Sequence, residues 1–168
     1  MNRILAILAI LAPISAACPA LADAPTPLGP NAGVFGNWRA ATYGTGAAKT
    51  CYAFTKPQIS KPNWKTRGLV MLTVTERQGS RDEISLTPGY IYPKAAVISM
   101  RIGKTSIQFS VQGNVAFTSS TSAALAGFAA QDVAVAKSTG PRHKPVEDTF
   151  SLTGYSAAYK AIAQACPP

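Results

Sequence analysis

Polar and apolar residues alternate along much of this chain, most clearly near its end. Asp148-Thr-Phe-Ser-Leu-Thr153 places Phe150 and Leu152 on one side and Thr149, Ser151 and Thr153 on the other. That period of two is the mark of a half-buried strand. After Gly154 the spacing lengthens. Tyr155, Ala158, Tyr159, Ile162 and Cys166 fall on one stripe, with Ser156, Lys160 and Gln164 opposite, which is helical periodicity. Alanine-rich composition favours a helix because alanine loses no side-chain entropy. Thr153 or Gly154 suits its N-cap, and Pro167-Pro168 cannot continue it.

Upstream, short strands separated by glycine turns are expected. Phe35–Tyr43 and Lys49–Thr55 form a hairpin across Gly44 and Gly46, with Cys51 and Ala53 on one face and Tyr52 and Phe54 on the other. Two prolines exclude a central strand from Lys56–Arg67. Gly68–Glu76 is strongly apolar, Gln78–Asp82 is a turn, and Glu83–Leu86 resumes the strand pattern. Val97–Ile102 and Thr105–Gln112 flank the two-residue turn Gly103-Lys104. In the second, Ile107, Phe109 and Val111 alternate with polar residues. Val115–Thr118 is another strand. Thr121 or Ser122 caps a short helix through Phe128, and Asp132–Lys137 returns to strand. The pattern predicts a mostly β fold: an antiparallel β-sandwich or open barrel with a short internal helix and a C-terminal helix.

The first residues change the picture. Met1-Asn-Arg3 is basic, Ile4–Leu11 is apolar, and Ala20-Leu21-Ala22 is an A-x-A site. Residues 1–22 read as a secretory signal peptide, too short to span a bilayer as a helix. Residues 23–34 hold Pro25, Pro27 and Pro30 and read as a linker, leaving 35–168 as a single domain. Ser15-Ala-Ala-Cys18 partly matches a lipobox, so a lipid-anchored envelope protein is an alternative. Expected localisation is the periplasm, outer envelope or exterior.

Cleavage after Ala22 leaves Cys51 and Cys166, and an even cysteine count in an exported chain suggests a disulfide. It closes a loop of about 115 residues, for which chain entropy gives a stabilisation of about 4–5 kcal/mol. Charge is lopsided, with 16 Lys+Arg against 7 Asp+Glu. This suits a soluble surface or an anionic envelope partner such as lipid headgroups or polysaccharide, and an exported protein does not meet nucleic acid. The candidate binding surface is Lys56, Lys61, Trp64, Lys65 and Arg67, a basic loop with one large aromatic.

Catalytic chemistry is hard to place. His143 is the sole histidine, beside Arg142 and Lys144, and no orienting partner is identifiable. A small periplasmic enzyme using His143 is the alternative reading. Glu147-Asp148 and Asp82-Glu83 are strand neighbours and point to opposite faces, so neither pair converges on one bond. No phosphate-cradling glycine loop, H-E-x-x-H or G-x-S-x-G occurs. No catalytic residue, metal ligand set or cofactor is expected.

Three stretches together resemble the invasion-associated locus B family of exported bacterial proteins. They are Phe35-Gly-Asn-Trp38 with Cys51, Arg81-Asp-Glu-Ile-Ser-Leu86 leading to Gly89-Tyr90, and Asp148–Ile162 with Cys166. The chain departs from the family at Asn37, where an acid is usual, and at Ala41–Tyr43, where many members carry a cysteine. The resemblance implies a non-enzymatic envelope protein of the periplasm or outer envelope. In some pathogens such proteins are linked with host-cell invasion.

Overall fold

A computed structural model describes residues 24–168; the expected leader, with Cys18, lies outside the described residues. The chain runs β1 (Thr26–Pro27), a four-residue turn α1 (Pro30–Gly33), β2 (Val34–Phe35), β3 (Trp38–Tyr43), β4 (Thr50–Thr55) and β5 (Ile59–Lys61). It continues through β6 (Val70–Arg77), β7 (Ser80–Pro88), β8 (Ile98–Ile102), β9 (Thr105–Gln112) and β10 (Val115–Thr118). The last elements are α2 (Thr121–Ala130), β11 (Val133–Thr139), β12 (Pro145–Ser151) and α3 (Tyr155–Ala165).

The strands form one antiparallel path in the order β1-β3-β4-β6-β7-β10-β9-β8-β11-β12-β5, with β2 added on β3. The sheet bends at β9, whose Thr105–Phe109 pairs with β8 while Ser110–Gln112 pairs with β10. That is why Val111, in alternating register with Ile107 and Phe109, is exposed: it belongs to the far half of the bend. The architecture is the expected mostly β class, an open sheet folded over its own apolar face.

Period-two burial explains the fold. Along β4, Cys51, Ala53 and Thr55 are buried and Thr50, Tyr52 and Phe54 half-buried. Along β6 the buried set is Val70, Leu72, Val74 and Glu76. Of these, Cys51, Ala53, Val70, Leu72 and Val74 meet Ile98, Met100, Ile102 and Phe150 from the other half of the sheet in one core. Trp38 is fully buried between Phe128 of α2 and Tyr155 of α3, with centroids 6.2 and 5.1 Å away. Its indole N–H donates to the Ser151 carbonyl at 3.1 Å, as a buried Trp requires.

Several boundaries differ from the pattern. Phe35–Tyr43 is divided by a tight turn at Gly36-Asn37, and β2 and β3 pair across it. Within the Pro-rich segment, β1 pairs with β3 and Leu28 N–H donates to Ala40 O at 2.9 Å. The Lys56–Arg67 stretch contains β5, which pairs only with β12 at the end of the sheet, the edge position that neighbouring prolines allow. Strand β7 begins at Ser80, so the turn before it is shorter than the polar run suggests. Helix α2 follows Ser120 and has no side-chain cap; the Ser120 N–H instead reaches back to Thr118 Oγ1 at 3.1 Å.

Helix α3 lies as its stripe requires, with Tyr155, Ala158 and Ile162 buried. Truncating Ile162 to Ala would cost about 2–5 kcal/mol. Gly154 precedes it with φ 93°, and a Cβ there would meet the Phe35 carbonyl oxygen 1.9 Å away. Only glycine fits this junction. At the other end, Cys166 is bonded to Cys51 with Cα atoms 6.0 Å apart. Lys49 Nζ donates to Ala165 O at 2.8 Å and Arg81 donates to Cys166 O. Two cations thus meet the negative end of the helix dipole.

Candidate binding surface

The basic loop between β5 and β6 is held from below by one buried ion pair. Arg67 donates to both oxygens of Asp148, at 2.8 and 2.7 Å, and through Nε to Pro88 O at 2.7 Å. Ser60 donates to Asp148 Oδ1 at 2.7 Å. Side-chain exposure is 4% for Arg67 and 3% for Asp148. A bidentate, fully hydrogen-bonded arrangement is what allows two charges to be buried together. The guanidinium also lies near two aromatic rings, 5.6 Å from the centroid of Trp64 and 5.3 Å from that of Tyr90. The rings meet edge to face at 5.7 Å, and the Tyr90 and Ser138 hydroxyls are 2.8 Å apart.

This clamp sets Trp64 against a second basic loop, residues 140–144. Trp64 packs over Gly140, where a Cβ would lie 3.3 Å from its ring. The second loop is closed by Gly140 N–H to Lys144 O at 2.7 Å and Lys144 N–H to Pro141 O at 3.3 Å. Arg142 and His143 both adopt left-handed backbone, with φ 56° and 57°. Such conformations are uncommon outside glycine and turn residues.

Two recesses open on either side of Pro62. The larger, about 800 Å³, is bordered by Lys61, Ser99, Lys137, Thr139, His143 and Glu147. Its floor is one cross-strand row: Ser99 is opposite Lys137, Lys137 opposite Glu147, and Glu147 opposite Lys61. The Glu147 carboxylate sits 3.6 Å from the Lys137 ammonium and 4.0 Å from that of Lys61. The smaller recess, about 500 Å³, is bordered by Trp64, Arg67, Tyr90, Arg142 and Lys144. Arg67 is neutralised by Asp148, so Arg142 and Lys144 give this recess its charge.

The residues of the predicted surface therefore separate. Trp64 and Arg67 come together at the smaller recess, while Lys61 borders the larger one across Pro62. Lys65 is exposed beside Trp64 but borders neither recess, and Lys56 borders another hollow with Arg39 and Phe54. Arg67 is an internal anchor with little surface. His143 is exposed, and no side-chain hydrogen bond orients it among the described residues. The partners that sequence reasoning did not join to this loop are Lys137, Arg142, Lys144 and Glu147. The basic run Arg142-His143-Lys144 is visible in the sequence, but nothing in it indicates that β12 lies beside β5.

A second polar cluster lies near the disulfide. Glu76, across from Cys51 in the β4–β6 register, is fully buried. Arg81 Nε lies 2.6 Å from Glu76 Oε2 but does not direct its N–H at it, so the contact is electrostatic and that oxygen lacks an aligned donor. Tyr159 donates to Asp82 Oδ1 at 2.6 Å, and the Asp82 N–H donates to Glu76 Oε1 at 3.3 Å. Burial, before any neighbouring charge, pushes the Tyr159 and Tyr155 hydroxyls up from their ordinary range. The network fastens β6, β7 and α3.

No family model and no curated protein matches the chain. Among solved structures it is similar to the crystal structure of invasion associated protein B from Bartonella henselae. The TM-score is 0.57 at 15% identity, over 79% of this chain and 95% of that one. The likeness is one of fold. Among the described residues no helix is long and apolar enough to cross a membrane.

Proposed function

We propose that this chain is an exported, non-enzymatic binding domain of the bacterial envelope, one that meets an anionic partner through its basic face. The observation that carries the reading is the convergence of two basic loops, 61–67 and 140–144, around Trp64, on a platform made rigid by Arg67 and Asp148. Rigid loops presenting cations and an aromatic ring lose little entropy on binding. A disulfide that ties the tail to β4 suits an oxidising compartment. The likeness in fold to a protein described as invasion associated supports a role in host-cell contact.

Retention of residues 23–168 on an anionic matrix tests the reading. It should exceed retention on a neutral matrix and fall as salt screens the contact. Replacing Lys61, Lys65 and Arg142 together with Ala should release the protein at lower salt without moving its melting temperature. Unchanged elution would refute a basic contact face here. Mass spectrometry of the secreted form tests export: a chain starting at Asp23 supports cleavage after Ala22, whereas a lipidated Cys18 supports an anchored form.

A further inference from the structure

The two recesses beside Pro62 differ in charge, and the difference specifies a ligand more narrowly than net basicity does. The smaller carries Arg142 and Lys144 with its remaining charge, Arg67, already cancelled by Asp148. It suits one acidic group. The larger carries Ser99, Lys137, Glu147 and Lys61 along its floor, with the imidazole of His143 at its wall and the Thr139 hydroxyl bonded to the Val97 backbone. Glu147 offsets one of its two ammoniums, so this recess carries less net charge than the smaller one and suits an uncharged, hydroxyl-rich group. Between them stands Pro62, which borders both, while Trp64 borders the smaller.

We propose that this surface binds an acidic oligosaccharide in which charged and uncharged sugars alternate, the uncharged unit over the Lys137–Glu147–Lys61 row and the acidic unit at Arg142 and Lys144. The inference deepens the reading above and rests on it. A uniformly charged polyanion gains less there, because the Glu147 carboxylate already lies 3.6 and 4.0 Å from the two ammoniums and offsets part of their charge. A bilayer fits less well too, because flat headgroups do not enter two recesses of about 800 and 500 Å³. Each volume is within the range of small-molecule sites.

Titration calorimetry with a hyaluronan tetrasaccharide, whose glucuronate and N-acetylglucosamine units alternate, tests this. The controls are a neutral chitin tetrasaccharide, polyphosphate and phosphatidylglycerol vesicles. The hyaluronan fragment should bind tightest. Arg142→Ala with Lys144→Ala should weaken it about tenfold, the loss expected for about 1.4 kcal/mol of charge-assisted hydrogen bonding. Glu147→Gln should leave or weaken hyaluronan binding and strengthen polyphosphate binding. Circular dichroism melting confirms that each variant is folded. Polyphosphate or vesicles binding as tightly as the tetrasaccharide would overturn the assignment, as would an Arg142/Lys144 variant that binds normally. If the tetrasaccharide fails to bind while that variant still loses retention on an anionic matrix, the glycan assignment falls and the basic contact face stands. If retention is also unchanged, both fall.

Discussion

Arg67 and Asp148, 81 positions apart in the chain, form a two-pronged ion pair at 2.8 and 2.7 Å beneath the face where the two basic loops meet. The pair determines what the first loop can do. It removes one cation from the surface, fixes the turn that carries Trp64, and joins the β5–β6 loop to β12.

Breaking that pair from one side should be costly. Arg67→Ala leaves the buried Asp148 carboxylate with Ser60 as its remaining side-chain donor, at a cost of about 3–5 kcal/mol. Replacing both, Arg67→Met with Asp148→Leu, removes the uncompensated charge and should recover most of that loss. The exposed pair Arg77–Glu83, 2.6 Å apart, is the control, where Glu83→Gln should cost under about 1 kcal/mol. Urea unfolding measures all three. An Arg67→Ala loss no larger than the control's would mean that the pair does not hold the loop.

The disulfide should contribute mainly through the unfolded chain. It spans 115 positions, and Cys51→Ala with Cys166→Ala should lower unfolding stability by about 3–5 kcal/mol. Helix α3 should persist in that variant, because Ile162, Tyr155 and the donors Lys49 and Arg81 still hold it. Urea midpoints with far-ultraviolet circular dichroism separate the two effects. Loss of helical signal in native buffer would show that the covalent tie, rather than packing, positions the helix.

Local patterns carried the fold further than they carried the site. Cys51 and Ala53 declare their buried face by alternation alone, because a strand has only two faces, whereas at the end of β12 Ser151, expected on the polar side with Thr149, is buried along with Phe150, and Leu152 lies past the strand. The stripe ending in Cys166 likewise specified how α3 would lie. The Lys61–Glu147–Lys137 row has no such local signature. It exists because β5 leaves β4, crosses the fold and pairs with β12, a choice made by the whole sheet. Buried acids are illegible for a related reason. Glu76 and Asp148 continue the buried side of their strands, where an apolar residue is expected, and only a partner distant in sequence makes each tolerable.

Two tyrosines near the clamp should respond oppositely to loss of a hydroxyl. Tyr92 is 6% exposed, and its Oη has no hydrogen-bond partner among the described residues. Tyr92→Phe should therefore raise stability, by about 1 kcal/mol. Tyr90 shares a hydrogen bond with the buried Ser138, so Tyr90→Phe should lower stability by a similar amount. Melting temperatures of the two variants check the contrast. Equal shifts in one direction would mean that the hydroxyl environments are not as different as their geometry.

Glu76 should make the domain less stable as pH rises through neutrality. Its carboxyl is pushed up from 4.5 to about 7, first because burial disfavours the charged form, then through the side chain and charge of Asp82, against the opposing pulls of Arg81 and of the Asp82 backbone N–H. The folded chain therefore holds this proton more tightly than the unfolded chain. Its stabilisation is fully present below about pH 4.5 and is lost as pH climbs through about 7. The whole effect is at most on the order of 3 kcal/mol. Arg81, Asp82, Tyr155 and Tyr159 surround the group, and both tyrosines stay neutral across this window, their hydroxyls being raised further by burial. Glu76→Gln keeps the shape and cannot ionise. Urea midpoints from pH 5 to pH 8 should decline for the wild type and stay nearly level for Glu76→Gln, with the variant gaining relative stability at the alkaline end. Parallel profiles would show that Glu76 is already ionised in the folded protein, with Arg81 outweighing its burial.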